Sequence, residues 1–397
     1  MAEHAKYLIL GGGMTGDAAV HGIREVDSEG PVAVIGAEPH PAYDRPPLSK
    51  GLWKGKPLDS IWRKNEVQGV TYHRGRRAAR LDAKNKRVTD DRGAEHTFEK
   101  LLIATGATPR RLQPDADGVI YFRTLDDYRR LNAMAGEGRR FAVIGGGFIG
   151  SEIAAALTMA GSRVTLLFPG AGISGRIVPA DLADSLNHYY RNKGVQVLTH
   201  VSGLAVEKTS PMTVRVRAGD GAKEKTLEVD GVVAGIGVEP NVGLAQEAGL
   251  VIDNGIRVDS TLRTSAPDIF AAGDVASLRH PVLDHLVRVE HEDNANTMGR
   301  LAGRSMAGEK VIFDHLSMFY SDLFDLGYEA VGDLDPRLET IADWKEPFRQ
   351  GVVYYLRDGR VRGVLLWNVW EQVDAARALI TGRGSFRAAD LKGRIPA

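Results

Sequence analysis

The sequence reads VIGGGFIGSE at residues 143–152 and LILGGGMTGD at residues 8–17. Each stretch starts as a short apolar run and turns on glycines spaced G-x-G-x-x-G: Gly11, Gly13 and Gly16 in one, Gly145, Gly147 and Gly150 in the other. Helical spacing follows, to about Val26 in the first copy and through Ala160 in the second. A second strand-like run comes next, PVAVIG from Pro31 or RVTLLF from Arg163. Strand, glycine turn, helix and strand make the βαβ unit of a dinucleotide-binding fold. The first glycine permits the tight turn, the second lets backbone N–H groups approach a pyrophosphate, and the third lets the helix pack closely on the strand. The motif carries weight only between a strand and a helix, and that context occurs twice here.

The composition bounds what these loops serve. A chain of 397 residues is long enough for two or three domains. It is 43% hydrophobic and 26% charged, a globular balance, and no segment is long and apolar enough to span a bilayer. Lys plus Arg equals Asp plus Glu at 51 each, so no charge excess points to nucleic acid or an anionic membrane, and neither is expected as a partner. The chain has no cysteine, which excludes disulfides, thiolate nucleophiles and thiolate-bound metal on this chain. Its first residues, MAEHAKYLIL, run straight into a strand without the pattern of a signal peptide, so a cytoplasmic location is expected.

The two copies part after their second strands. The first continues GAEP (36–39), with Glu38 about 20 residues beyond Gly16, the distance suited to a ribose hydroxyl. The second continues LLFPGAG (166–172) and has Gly170 where an acid is expected. Two further apolar runs end in glycine turns, LLIATGATPR (101–110) and TSAPDIFAAGDVA (264–276). In order and spacing, these segments and the two fingerprints resemble flavoproteins with two dinucleotide-binding domains, the superfamily that includes glutathione reductase. The resemblance implies FAD on the first loop and NAD(P)H on the second. It places Asp274 on the ribityl chain and Ala104, Thr105 and Gly106 along the FAD, and it counts Ala78 and Gly237 among the cofactor-binding positions.

The disulfide branch of that superfamily carries a C-x-x-x-x-C pair where this chain reads YDRPPLSKGLW (43–53). The cysteine-free pattern resembles the branch of ferredoxin and rubredoxin reductases and apoptosis-inducing factor. RVEHEDNANTMGRLAG (288–303), HLSMFYSDLFDLGYEAVG (315–332) and GVVYYLRDGRVRGVLLWN (351–368) look most like the apoptosis-inducing factor group, without the insertion and targeting region of its animal members. The expected fold is α/β: two Rossmann-like domains and a small α+β C-terminal domain. The expected boundaries are 1–111 and 243–313 for FAD, 112–242 for NAD(P)H and 314–397 for the third. In the last, Asp358-Gly359 between two β-rich runs is a hairpin signal, since both positions of such a turn favour positive φ.

Charged residues are mostly exposed, and spacing alone would leave Lys50 and Glu152 as unrelated surface charges. The resemblance pairs them near the flavin N5, where a lysine favours negative charge as a hydride arrives and a carboxylate keeps it protonated. It sets Phe148 over the nicotinamide pocket, although aromatics at such positions are often plain helix-to-sheet packing. Arg45 and Pro46 are expected along the flavin ring edge, and Arg123 as a counter-charge to the pyrophosphate. Tyr320 stands where the animal members of that group have a tryptophan, and the resemblance puts Glu290 and His291 beside the flavin. The run RHPVLDHLVRVEHED (279–293) is rich in His, Glu and Asp, but its spacings match no metal motif, and no metal is expected.

The chain is thus expected to be an FAD-dependent NAD(P)H oxidoreductase. NADH is the leading donor; NADPH stays open, because Gly170 replaces the acid and Arg176 could meet a 2′-phosphate. Without a cysteine pair, electrons must leave to a ferredoxin, a quinone or, slowly, oxygen. The C-terminal resemblance favours slow NADH oxidation with a long-lived charge-transfer complex, as in apoptosis-inducing factor; the alternatives are a ferredoxin reductase feeding an oxygenase and an NADH-sensing module controlled by cofactor-linked dimerisation. The resemblance also raises a homodimer.

Overall fold

The computed structural model describes residues 3–63, 67–209, 211–218, 223–382 and 384–397. The chain forms two compact units: Met1–Arg45, Leu58–Thr108 and Glu239–Ser317, and Pro46–Pro57, Pro109–Val238 and Met318–Ala397.

In the first unit, β1 (Glu3–Leu10) leads through the glycine loop into α1 (Met14–Val26) and then β2 (Val32–Gly36) and β3 (Val70–Arg74). β4 (Ala78–Asp82), β5 (Arg87–Asp90) and β6 (Glu95–Ile103) follow as a meander. The parallel order is β3-β2-β1-β6, and the strand Ile269–Ala271 adds to the far side of β6. Leu8, Ile9, Leu10, Leu101, Leu102 and Ile103 are all buried, as expected of parallel strands covered on both faces. β6 is longer than the apolar run at 101–103 announces. Its first half alternates buried and exposed residues and pairs antiparallel with β5.

The second unit holds a five-stranded parallel sheet in the order Gln196–Leu198, Arg163–Leu167, Arg140–Ile144, Gly231–Ala234, Ile120–Tyr121. Its glycine loop feeds the helix Phe148–Met159. A five-stranded antiparallel sheet from residues 318–367 belongs to the same unit. There Gln350–Arg357 and Arg360–Trp367 form the hairpin, with φ of 51° at Asp358 and 72° at Gly359. Residues 46–57, read from sequence as part of the FAD segment, pack with this second unit because Ser49 and Lys50 bond Glu152. Among the described residues, no helix is long and apolar enough to cross a membrane.

Candidate cofactor and active site

The glycines of each loop serve different ends. Gly11 and Gly145 have φ of +125° and +119°, where an L side chain is strained. A Cβ on Gly16 would lie 1.9 Å from the Gly11 carbonyl oxygen, and one on Gly150 1.7 Å from that of Gly145. The middle glycines need no such explanation from the fold. Gly13 and Gly147 have φ of −88° and −89°, open to any residue. A Cβ on Gly147 would meet nothing within 4 Å, and one on Gly13 only the tip of Arg45 at 3.9 Å. Each therefore leaves space at a helix N-terminus, where backbone N–H groups and the helix dipole favour an anion. Both loops fit the pyrophosphate of a dinucleotide.

Around the first loop, Glu38 accepts from Arg45 Nη2 and from Tyr43 Oη, each at 2.5 Å. Arg45, expected along the flavin ring edge, holds its guanidinium beside Glu38 and near Gly13. Ala104 donates its N–H to Leu10, and its own carbonyl faces Gly11. Asn241, which sequence reading missed, clamps the next two residues: its side-chain amide donates to the Thr105 carbonyl at 2.7 Å, and its backbone N–H to that of Gly106 at 3.0 Å. Ala78 opens β4, just after Gly75 and Arg76 donate to the carbonyls of Glu38 and Gly36. Asp274 is buried in the turn after Ile269–Ala271, and its carbonyl accepts from Arg288, which also pairs with Glu290 at 2.6 Å. His291 caps the helix Glu292–Met306 through its extended backbone. In the run 279–293, His280 and His285 bond backbone groups.

At the second loop, strand register identifies the position of the missing acid. Leu10 pairs with Ile35 and Ile144 with Leu167, so the residue equivalent to Glu38, three beyond the paired strand residue, is Gly170. Arg176 is exposed in a turn tied to the loop by the Ser174 N–H, which donates to the Gly146 carbonyl at 2.7 Å. Gly237, with φ of +99°, accepts from the N–H of Arg110. Arg123 precedes the capping box of Thr124 and Asp127 that starts the helix Leu125–Met134, and its N–H donates to Asp127.

Lys50 and Glu152 meet. Lys50 Nζ lies 2.7 Å from Glu152 Oε2, with the Glu152 side chain 1% exposed and that of Lys50 12%. Ser49 Oγ donates to the same oxygen at 2.6 Å, and Ser321 Oγ donates to Oε1 at 2.6 Å. Glu152 is the fifth residue of its helix, past the first turn. Burial first, then the Glu152 charge, pushes the hydroxyls of Tyr190 and Tyr328 well above the usual tyrosine range, so both stay protonated around the carboxylate. The Tyr320 ring lies 5.2 Å from Lys50 Nζ. Phe148 packs edge-on against Phe319 at 5.6 Å and tilted against Tyr328 at 6.5 Å. The result is a buried ion pair with both carboxylate oxygens engaged and the Tyr320 ring beside its lysine.

Two glycine loops shaped for dinucleotides, in a chain that has no cysteine, mark a flavin- and nicotinamide-using redox protein. The chain belongs to the pyridine nucleotide-disulphide oxidoreductase family, whose model matches residues 5–299. The model for the C-terminal region of mitochondrion-associated apoptosis-inducing factor matches 302–347 and 342–382. The chain is 34% identical to the ferredoxin–NAD(+) reductase component of the anthranilate 1,2-dioxygenase system of Burkholderia cepacia, over 94% of this chain and 93% of that one. It is 30% identical to apoptosis-inducing factor 1, mitochondrial, of Dictyostelium discoideum, over 96% and 79%. A chain in the crystal structure of the covalent putidaredoxin reductase–putidaredoxin complex is similar with a TM-score of 0.88 at 28% identity, over 98% and 95%. The protein is an FAD-dependent NAD(P)H oxidoreductase of α/β fold.

Proposed function

We propose that this oxidoreductase passes electrons from NAD(P)H, through FAD, to an external one-electron carrier of the ferredoxin class. Bound FAD supplies the chemistry that the side chains lack, accepting a hydride and releasing electrons singly. The first loop, with Glu38, Arg45, Ala78, Ala104, Thr105, Gly106, Asp274, Glu290 and His291, holds FAD in this reading. The second, with Arg176 and Gly237, holds the nicotinamide nucleotide, and Arg123 answers phosphate charge. Lys50 brings its ammonium to the site, oriented by Glu152. The Tyr320 ring covers that charge, and Phe148 covers the nicotinamide pocket. The accompanying division is an FAD domain at 1–111 and 243–313, an NAD(P)H domain at 112–242 and a third domain from 314.

One observation carries the choice of acceptor: the chain has no cysteine. Electrons thus have no dithiol exit on this chain. The near full-length likeness to a ferredoxin–NAD(+) reductase supports a ferredoxin over a quinone. The test is anaerobic reduction by NADH followed by cytochrome c reduction with and without an added [2Fe–2S] ferredoxin. Acceleration of about 10-fold or more by ferredoxin is expected, equivalent to about 1.4 kcal/mol of barrier; no acceleration would sink the proposal. The match to apoptosis-inducing factor over 302–382 favours a second reading, slow reoxidation with long-wavelength absorbance that persists for minutes in air. Light scattering with and without NADH tests whether a homodimer forms and responds to reduction.

NADH is proposed as the preferred donor, with NADPH accepted. Gly170→Glu places an acid where the first loop has Glu38. It should raise the NADH-to-NADPH ratio of kcat/KM by about 10- to 100-fold, the value of one charged hydrogen bond. An unchanged ratio would show that position 170 does not face the ribose.

A further inference from the structure

Three strands of the first unit bring together side chains that the redox chemistry does not use. Glu3 lies on β1, His73 on β3 and His96 on β6, with Glu3 directly opposite His96 in the sheet. The two imidazoles sit with ring centroids 4.9 Å apart. His73 Nε2 is 3.1 Å from Glu3 Oε2, and His96 Nδ1 is 3.8 Å from the same oxygen. All three candidate ligand atoms lie within 4.8 Å of one another. Both nitrogens are buried, yet neither makes a hydrogen bond: the Glu3 oxygen is within reach of His73 Nε2 but out of line for one. Buried polar atoms left so are uncommon and costly, and atoms with lone pairs converging on one point are best satisfied by a cation.

The other side of His96 strengthens the case. Its Nε2 faces Asp90 Oδ2 at 3.4 Å, and Asp90 is itself held by Arg76 Nη1 at 2.8 Å and by the backbone N–H groups of Arg92 and Ala94. A carboxylate behind the ring places the proton on Nε2 and turns the Nδ1 lone pair toward Glu3 and His73. This is the outer support that metal-binding histidines have. Two imidazoles and one carboxylate suit zinc rather than magnesium or calcium, which take oxygen ligands. Zinc bonds of about 2.0–2.1 Å imply ligand atoms about 3.3 Å apart, and the two separations from Glu3 bracket that value. The three residues are scattered over the sequence without a motif, and only the strand pairing and the meander bring them together.

We propose that Glu3 Oε2, His73 Nε2 and His96 Nδ1 bind a zinc ion, with water as fourth ligand, in a structural site that fastens the N-terminal strand to β3 and the meander. The test uses untagged, FAD-loaded protein stripped with chelator and titrated with zinc chloride. Bound metal is counted by mass spectrometry after gel filtration, and melting is followed with and without zinc. One zinc retained per chain and a raised melting temperature are expected, with no comparable effect of magnesium or calcium. Glu3→Gln, at the exposed start of β1, and His73→Gln should each weaken zinc binding by about 10-fold or more. Both should keep wild-type FAD content and zinc-free melting. His4→Gln, which alters the neighbouring histidine, should bind as wild type does. Failure to retain zinc, equal retention by Glu3→Gln and His73→Gln, or loss only in His4→Gln would overturn the proposal.

Discussion

Exchanging Glu152 for alanine is expected to lower the stability of the FAD-loaded protein by about 3–5 kcal/mol and to slow flavin reduction by NADH. The substitution strands the Lys50 ammonium, 12% exposed, without its carboxylate, and leaves Ser49 and Ser321 without the acceptor they share. A buried charge without its partner costs far more than the intact pair contributes, and that asymmetry supplies the test. Replacing both residues, Lys50→Met with Glu152→Leu, should recover most of the lost stability, because no charge is then left unpaired. It should not recover the rate, because the positive charge proposed to assist hydride acceptance is gone. Urea unfolding with excess FAD reads the first quantity, and stopped-flow absorbance reads the second. A Glu152→Ala protein that melts and is reduced as the wild type would remove the ion pair from both roles.

The glycines of the second loop should divide sharply. Gly150→Ala forces a Cβ to within 1.7 Å of the Gly145 carbonyl oxygen and 2.7 Å of its carbon, backbone atoms with nowhere to go. A loss of at least about 3 kcal/mol, at the upper end of overpacking, is expected, and with it the loop itself. Gly147→Ala adds the same methyl group three residues earlier, at an unstrained φ of −89° and with no protein atom within 4 Å. The fold should lose no more than about 1 kcal/mol, the cost of alanine at a helix N-cap. Affinity for NADH should nevertheless fall about 10-fold or more, about 1.4 kcal/mol, because the methyl group occupies the space left for phosphate. Calorimetric binding of NADH beside thermal melts for the two variants separates these effects. Wild-type affinity in Gly147→Ala would mean that the gap at the loop is not where the pyrophosphate goes.

What was legible in the sequence is local. The two glycine loops are, because a strand, a positive-φ turn and a helix start lie within ten residues, where backbone sterics act directly. The hairpin at Asp358-Gly359 is, for the same reason. The absence of cysteine, and with it of a dithiol exit on this chain, is determined by composition and needs no coordinates. Strand register then turned a loose expectation about Gly170 into a defined equivalence with Glu38.

Only the tertiary structure decided which distant groups share an environment. Ser49 and Ser321 stand 103 and 169 positions from Glu152, yet both donate to its carboxylate. Asn241 lies 136 positions beyond Thr105, whose carbonyl it holds, and no motif marks it. Glu3, His73 and His96 come from three strands. Sequence spacing reports neighbours along one helix or strand; it says nothing of which faces a folded chain presses together. Burial of a polar group requires a partner from whichever element lies opposite, so the identity of that partner is set by packing rather than by pattern.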